Sequence, residues 1–239
     1  NTLQSSEQVH VLESLREAAV GGIAMFAIDS EVVRREVDEL TASGIPVVTF
    51  NSDVHGTDRL CFVGQDHRQG GLVAGDLMAK TVRDPGEILV IASLLELECH
   101  RDRVEGFREA VDRWGEELEI CKVVENQDRD SLGFEFALAE LERNPDIRGV
   151  YVTGGGVSGV ADAVKSANLK PRVRFICHDL VGPTIQLVRE RTIDFTIGQD
   201  PVYQGYQSVK ILFEYLLTGK RPDQEYMWTK IDVRCGSNI

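Results

Sequence analysis

Along the chain, short β-branched apolar runs alternate with segments of about 10 to 16 residues whose apolar positions recur every three or four. That beat predicts βα units and a mostly parallel sheet, because strands buried on both faces read as continuous runs and their covering helices as one-sided stripes. A helix pattern comes first, over 8–19, with Val11, Leu12, Leu15 and Ala19 on one face. A buried strand follows at 22–28, and Ser30 has the position of an N-cap for a helix reaching Ala42. Further strands are predicted at 45–50, 60–63, 87–92, 119–124, 147–152, 173–177 and 193–197, and a closing one at 226–233. Helices between them fall at 68–81, 101–114, 131–143, 157–167, 184–191 and 202–217. This is too much structure for one small domain and suits two α/β lobes. The chain opens on a helix, so a parallel sheet built from it lacks a leading strand, and the first lobe reads as incomplete.

Composition narrows the possibilities. Of 239 residues, 42% are hydrophobic and 27% charged, ordinary values for a globular chain. The longest apolar runs, such as Ile88 to Ala92, fall well short of the roughly 18 residues that a membrane helix needs. Thirty-nine acidic against 26 basic residues give a formal charge of −13, with no segregated basic patch for nucleic acid. Cys61, Cys99, Cys121, Cys177 and Cys235 are odd in number, widely spaced and without C-x-x-C, which points to reduced thiols and a cytoplasmic setting. The start, Asn1-Thr2-Leu3-Gln4, has neither initiator Met nor signal segment, and reads as cropped or processed.

In open α/β sheets ligands bind beyond the carboxyl ends of the strands. Those positions are polar here: Asn51, Ser52, Asp53, Asp66, His100, Arg101, Arg103, Asp128, His178, Asp179, Gln199 and Asp200. Such groups can hold the hydroxyls of a small polar ligand such as a carbohydrate. Asn, Asp and Ser after a strand equally cap helices or make Asx-turns, which accounts for Asp66 and Asp179 singly but poorly for Arg103 or Gln199. Gly154-Gly155-Gly156-Val157-Ser158-Gly159 is a G-x-G-x-x-G between a strand and a helix, with Asp179 at the end of the next strand, so a dinucleotide such as NAD is an alternative ligand. Other catalytic signatures are missing: no P-loop, no H-E-x-x-H, no G-x-S-x-G and no Cys/His spacing for zinc. No cofactor or metal is therefore expected, and no enzyme activity. His178 reads as packed or ligand-facing, His10, His55 and His67 as surface residues, and Trp114 and Trp228 as core or interface.

Several blocks together resemble one family. They are Gly44 to Asp53, Phe62 to Asp66 with Gly70 to Gly75, Arg103-Val104-Glu105-Gly106-Phe107, Ile176 to Asp179, and Ile197-Gly198-Gln199-Asp200-Pro201 with Gln204-Gly205-Tyr206. In this order they are similar to the type I periplasmic-binding-protein fold, shared by ribose-type sugar receptors and the effector-binding domains of LacI/GalR transcription regulators. The resemblance implies two doubly wound, Rossmann-like parallel-sheet lobes joined by three crossovers, near Gly64 to Asp66, Gln199 to Pro201 and Gly219 to Tyr226. It divides the chain into 1–64 plus 201–222 and 65–200 plus 223–239. Family ligand contacts fall on Asn51, where many receptors have Asp, and on Arg103, Asp179 and Gln199. With the strand-end groups, the expected ligand set is Asn51, Asp53, Arg103, Asp128, His178, Asp179 and Gln199. The chain departs from the family at Gly154-Gly155-Gly156, often Asn or Asp-Glu, and near Asp128, where an aromatic is frequent.

Between the two branches, the unpaired cysteines, the absent signal segment and the ending Thr229 to Arg234 with Asn238 resemble the regulators. The expectation is thus a LacI-type repressor's effector domain, cytoplasmic and homodimeric. It would sense a sugar or related metabolite between the lobes and change allosterically its affinity for operator DNA through a helix-turn-helix domain upstream of residue 1. Alternatives are a periplasmic sugar receptor of an ABC transporter and an NAD-dependent oxidoreductase using the glycine loop.

Overall fold

The computed structural model describes residues 4–168 and 172–239, so the first three positions of the expected first lobe lie outside the described residues. The chain forms two compact units: 1–66 with 96–99 and 200–230, and 67–95 with 100–199 and 231–239.

The first unit opens with α1 (Ser5–Glu17), β1 (Ile23–Met25), α2 (Glu31–Ala42), β2 (Val47–Phe50) and β3 (Cys61–Gly64). The second holds α3 (His67–Thr81), β4 (Gly86–Ala92), α4 (Glu98–Trp114, its first residues grouping with the first unit), β5 (Leu118–Glu125), α5 (Asp130–Arg143) and β6 (Ile147–Val152). It continues through α6 (Val157–Ser166), β7 (Arg174–His178), α7 (Gly182–Arg189) and β8 (Phe195–Gly198). The chain then returns to the first unit for α8 (Pro201–Thr218) and β9 (Tyr226–Trp228), and ends in the second with β10 (Asp232–Arg234).

In the first unit the sheet runs β1-β2-β3-β9, all parallel. Ser30 caps α2 as expected, its hydroxyl accepting from Val33 N at 3.4 Å, and the helix buries Val33, Val37 and Leu40. Asp200 caps α8 by accepting from Tyr203 N at 3.0 Å, with Pro201 in the first turn, where its missing N–H is no loss. Ile211 and Leu212 of α8 pack into the apolar cluster with Val48, Cys61 and Val63, while Val202, Tyr206, Val209 and Phe213 of the same helix are exposed.

In the second unit the order is β10-β8-β7-β6-β4-β5, parallel except for β10. The five residues Ile88 to Ala92 of β4 are completely buried, which explains their uninterrupted apolar run. α3 and α4 cross with almost no space between their backbones. A Cβ on Gly71 would stand 2.2 Å from the Arg103 carbonyl oxygen, and one on Gly106 2.0 Å from that of Arg68. Glycine is required at both contacts, and this crossing sets the height of Arg103 on α4.

Several expectations need correction. The single closing strand at 226–233 is two strands in two sheets: β9 lies parallel to β3 and β10 antiparallel to β8. The last passage between units therefore falls at 230/231, after β9, rather than between Gly219 and Tyr226. An alternating apolar run carries no mark of a change of sheet, so the pattern merged the two. His67 is buried rather than on the surface, and Trp114 and Trp228 are 45% and 52% exposed, so neither is a core residue.

Candidate functional site

In the second unit the strand order reverses at β4: β5 lies on one side of it, β6, β7 and β8 follow on the other. A crevice opens at such a reversal, because the two flanking connections leave in opposite directions. The residues just beyond the carboxyl ends there are Ser93 after β4 and Thr153 after β6.

Around Thr153 the groups converge. Arg103, 2% exposed, donates from Nη1 to the Thr153 carbonyl at 2.6 Å, and His100 Nδ1 lies 3.1 Å from the Thr153 hydroxyl. Burial, and then the positive charge of Arg103, lowers the His100 pKa to about 4, so its ring is neutral at pH 7. At the end of β7, His178 is fully buried and its Nε2 stands 2.8 Å from the hydroxyl of Tyr151, itself stacked on Phe107 at 4.3 Å. Burial first, then Arg103, His67 and His100, depresses His178 well below the ordinary imidazole range. Asp179, with φ +74°, accepts from Gln199 Nε2. Four of the expected ligand residues, Arg103, His178, Asp179 and Gln199, thus stand at the carboxyl ends of one sheet. His100, Ser93 and Thr153 join them. Applying the strand-end rule to every strand points to these last two as well, but small hydroxyl residues there look like ordinary caps.

The glycine loop has another use than the dinucleotide expectation. Gly155 N donates to Asp128 Oδ1 at 2.6 Å, Asn126 Nδ2 donates to the Gly155 carbonyl at 2.9 Å, and Gly159 N points to Asp130 Oδ1 at 3.2 Å. Two amides of this turn, Gly155 N and Gly159 N, already have protein acceptors that a pyrophosphate would have to displace, and a Cβ on Gly159 would stand 1.8 Å from the Asp130 carbonyl oxygen. The glycines let α5 and α6 pack; the spacing match is a consequence of that contact. A Cβ on Gly154 would also lie 2.4 Å from His100 Cε1, so the loop's bareness leaves room for the imidazole. Asp128, expected to meet ligand, has one oxygen engaged with this loop.

In the first unit, Asn51 stands at the carboxyl end of β2 with φ +62° and is half-buried. Asp53 does not present its carboxylate to a ligand. Both oxygens are gripped by the Nε and Nη2 of Arg59, the Thr49 hydroxyl donates to one of them, and Arg59 and Asp53 are 1% and 3% exposed at their side chains. Burial works against the Arg59 charge, but the Asp53 carboxylate outweighs it and holds the pKa above its ordinary value. The guanidinium also lies over the Tyr226 ring at 5.3 Å. His55 is half exposed, as expected of a surface residue, yet bonds Glu98 and lies 3.4 Å from Asp53. Among the described residues no group of three or more His, Cys, Asp or Glu side chains could hold a metal ion.

A model of the periplasmic binding protein domain matches residues 1–221. The chain belongs to this family. Among curated proteins this periplasmic-binding-protein domain is 22% identical to a D-ribose/D-allose-binding protein of Pseudomonas aeruginosa, over 92% of the chain and 70% of the relative. It is 23% identical to a ribose import binding protein of Salmonella typhimurium, over 90% of the chain and 73% of the relative. Among solved structures it is similar to GanP, a glucose-galactose binding protein of Geobacillus stearothermophilus, with 26% identity, a TM-score of 0.91 and coverage of 99% and 84%. The sugar-binding protein of a sugar ABC transporter from Bacillus halodurans gives 27% identity, 0.88, and coverage of 98% and 84%. The fold is the type I periplasmic-binding-protein fold, and the named relatives are sugar-binding proteins.

Proposed function

We propose that this domain binds a sugar as the receptor component of a transport system, at the carboxyl ends of β4, β6, β7 and β8 in the second unit. The observation that carries the reading is Arg103. It is a buried guanidinium at the strand-order reversal, held by one carbonyl, with Asp179 and Gln199 beside it at the neighbouring strand ends. Carboxylate, amide and guanidinium together read hydroxyls by donating and accepting in fixed directions. The named functions of the relatives, ribose, allose, glucose and galactose binding, support the sugar class and favour the receptor over the regulator.

The regulator reading, with its operator DNA, homodimer and cytoplasmic setting, takes part of its support from the unpaired thiols. Burial weakens that support, since it pushes Cys61 up to about 11 and Cys121 and Cys177 up to about 12. Thiols so protonated are inert, and they carry little information about the redox compartment. Calorimetric titration with ribose, allose, arabinose, xylose, glucose and galactose tests the sugar reading: micromolar binding to one of them that Arg103→Ala abolishes is expected, and silence from every sugar, acidic ones included, overturns it. Deleting the gene separates the two branches. Loss of uptake of the bound sugar is the receptor's result, and altered transcription with the transporter intact is the regulator's.

A further inference from the structure

Resting on the sugar reading, we infer that the preferred ligand is an acidic sugar, a polyhydroxylated carboxylate such as a uronate or aldonate, and that Arg103 takes its carboxylate. The chain contains an internal reference for what this side chain can hold. Arg59 presents its Nε and Nη2, the two donors along one edge of the guanidinium, to the two oxygens of Asp53. Arg103 is buried to the same degree, and its Nη1 is held by Thr153, yet among the described residues Nε and Nη2 have no partner. A planar edge of two parallel donors fits a carboxylate better than any single hydroxyl. A buried guanidinium edge left without an acceptor is costly, so the fold retains it for a ligand that provides one.

A second donor comes from His178. Among the described residues its Nδ1 is buried without a partner, and Nε2 meets the Tyr151 hydroxyl. If the neutral ring carries its hydrogen on Nδ1, that N–H lacks an acceptor; if on Nε2, the Tyr151 hydroxyl does. In both tautomers one buried donor is left over, next to Arg103. Of the acidic groups of this end, which also include Glu125 with its Oε1 accepting from Leu95 N at 2.6 Å, Asp128 and Asp179 each accept one internal hydrogen bond, from Gly155 and Gln199. Their remaining lone pairs suit hydroxyls. Two carboxylates that accept, and a guanidinium and a histidine–tyrosine pair that donate, match a molecule carrying hydroxyls at one end and an acid at the other.

The test is calorimetric titration of the intact wild-type domain with three matched probes: galactose, galacturonate and galacturonate methyl ester, with glucose and glucuronate, and ribose and ribonate, as further pairs. The expected result is an acid bound at least about tenfold more tightly than its neutral partner and its ester, since charge-assisted hydrogen bonds are roughly twice as strong as neutral ones. In Arg103→Gln, shown folded by its melting curve, the preference for the acid should vanish. Neutral sugars or the ester binding as tightly as the acids overturns this inference and leaves the sugar reading standing. Survival of the acid preference in Arg103→Gln overturns the role of Arg103. Binding of none of the probes overturns this inference, and silence from allose, arabinose and xylose as well overturns both readings. Should the variant fail to fold, the wild-type comparison of acid and ester decides alone.

Discussion

Arg59 and Arg103 are two buried arginines in the two units of one chain, and they are buried for different reasons. Arg59 is matched within the protein: Asp53 fills one edge of its guanidinium, Thr49 holds Asp53, and Tyr226 lies beneath. Among the described residues Arg103 is matched on one atom only. An internally satisfied ion pair stabilises a loop; a guanidinium satisfied on one side is a recognition group placed in advance. Burial alone does not separate structural from functional charge, whereas the count of unmet donors does.

The comparison can be broken most severely at Asp53. Asp53→Ala leaves Arg59 charged and buried with only the exposed Glu225 carboxylate, 3.3 Å from its Nη1, as an ionic partner, and should destabilise the protein by about 3 kcal/mol in urea denaturation. A loss below about 1 kcal/mol would mean that water reaches Arg59 and that the two arginines do not differ as described.

Acid sharpens the contrast at an intermediate scale, because the Arg103 charge bears on two histidines. Both His100 and His178 have folded pKa values depressed below the usual 6.5. The unfolded chain therefore takes up protons first as pH falls, so their contribution to stability is complete above about pH 6.5 and declines below it. For His100 the decline extends to about pH 4 and amounts to at most about 3 kcal/mol. Urea midpoints measured between pH 7.5 and 4.5 should fall, and fall less steeply in His100→Gln; an unchanged slope in that variant would remove His100 from the account.

The smallest expected effect is the most informative. Arg103→Gln removes a buried charge that lacks a carboxylate, so its stability should change by less than about 1 kcal/mol. Loss of ligand binding without loss of stability would distinguish Arg103 from Arg59 in a single pair of measurements.

Much of the architecture could be read from hydrophobic period alone, since β4 is apolar at every buried position and α2 has one apolar face and a serine at its start. The errors arise where a local pattern serves a non-local partner. Nothing in Tyr226 to Val233 tells that the chain changes sheets at Lys230, because both halves are short and half-buried. The spacing of Gly154 to Gly159 meets a phosphate-loop template, but the acceptors that satisfy it, Asp128 and Asp130, belong to another helix and its approach. Asp53 looked like a ligand contact for the same reason: a carboxylate after a strand gives no sign that an arginine six residues on will claim both oxygens. Arg103 and Gln199 stood out as candidates because neither capping nor packing accounts well for an arginine or a glutamine at a strand end, whereas Asp179 alone reads equally well as a cap. His100 was visible only as one of several polar residues, since its role depends on the space that Gly154 leaves.

The antiparallel strand β10 also bears on how the protein withstands crowding. A parallel sheet ends in a strand whose outer row of N–H and C=O groups can template another chain. On the β8 side of the six-stranded sheet that row is taken by Asp232 to Arg234, a strand of three residues carrying a paired acid and base. So short and charged a border is a poor seed for further pairing. The residues that close the second unit thus serve as a hem, and trimming 231–239 would turn a finished edge of the sheet into an adhesive one.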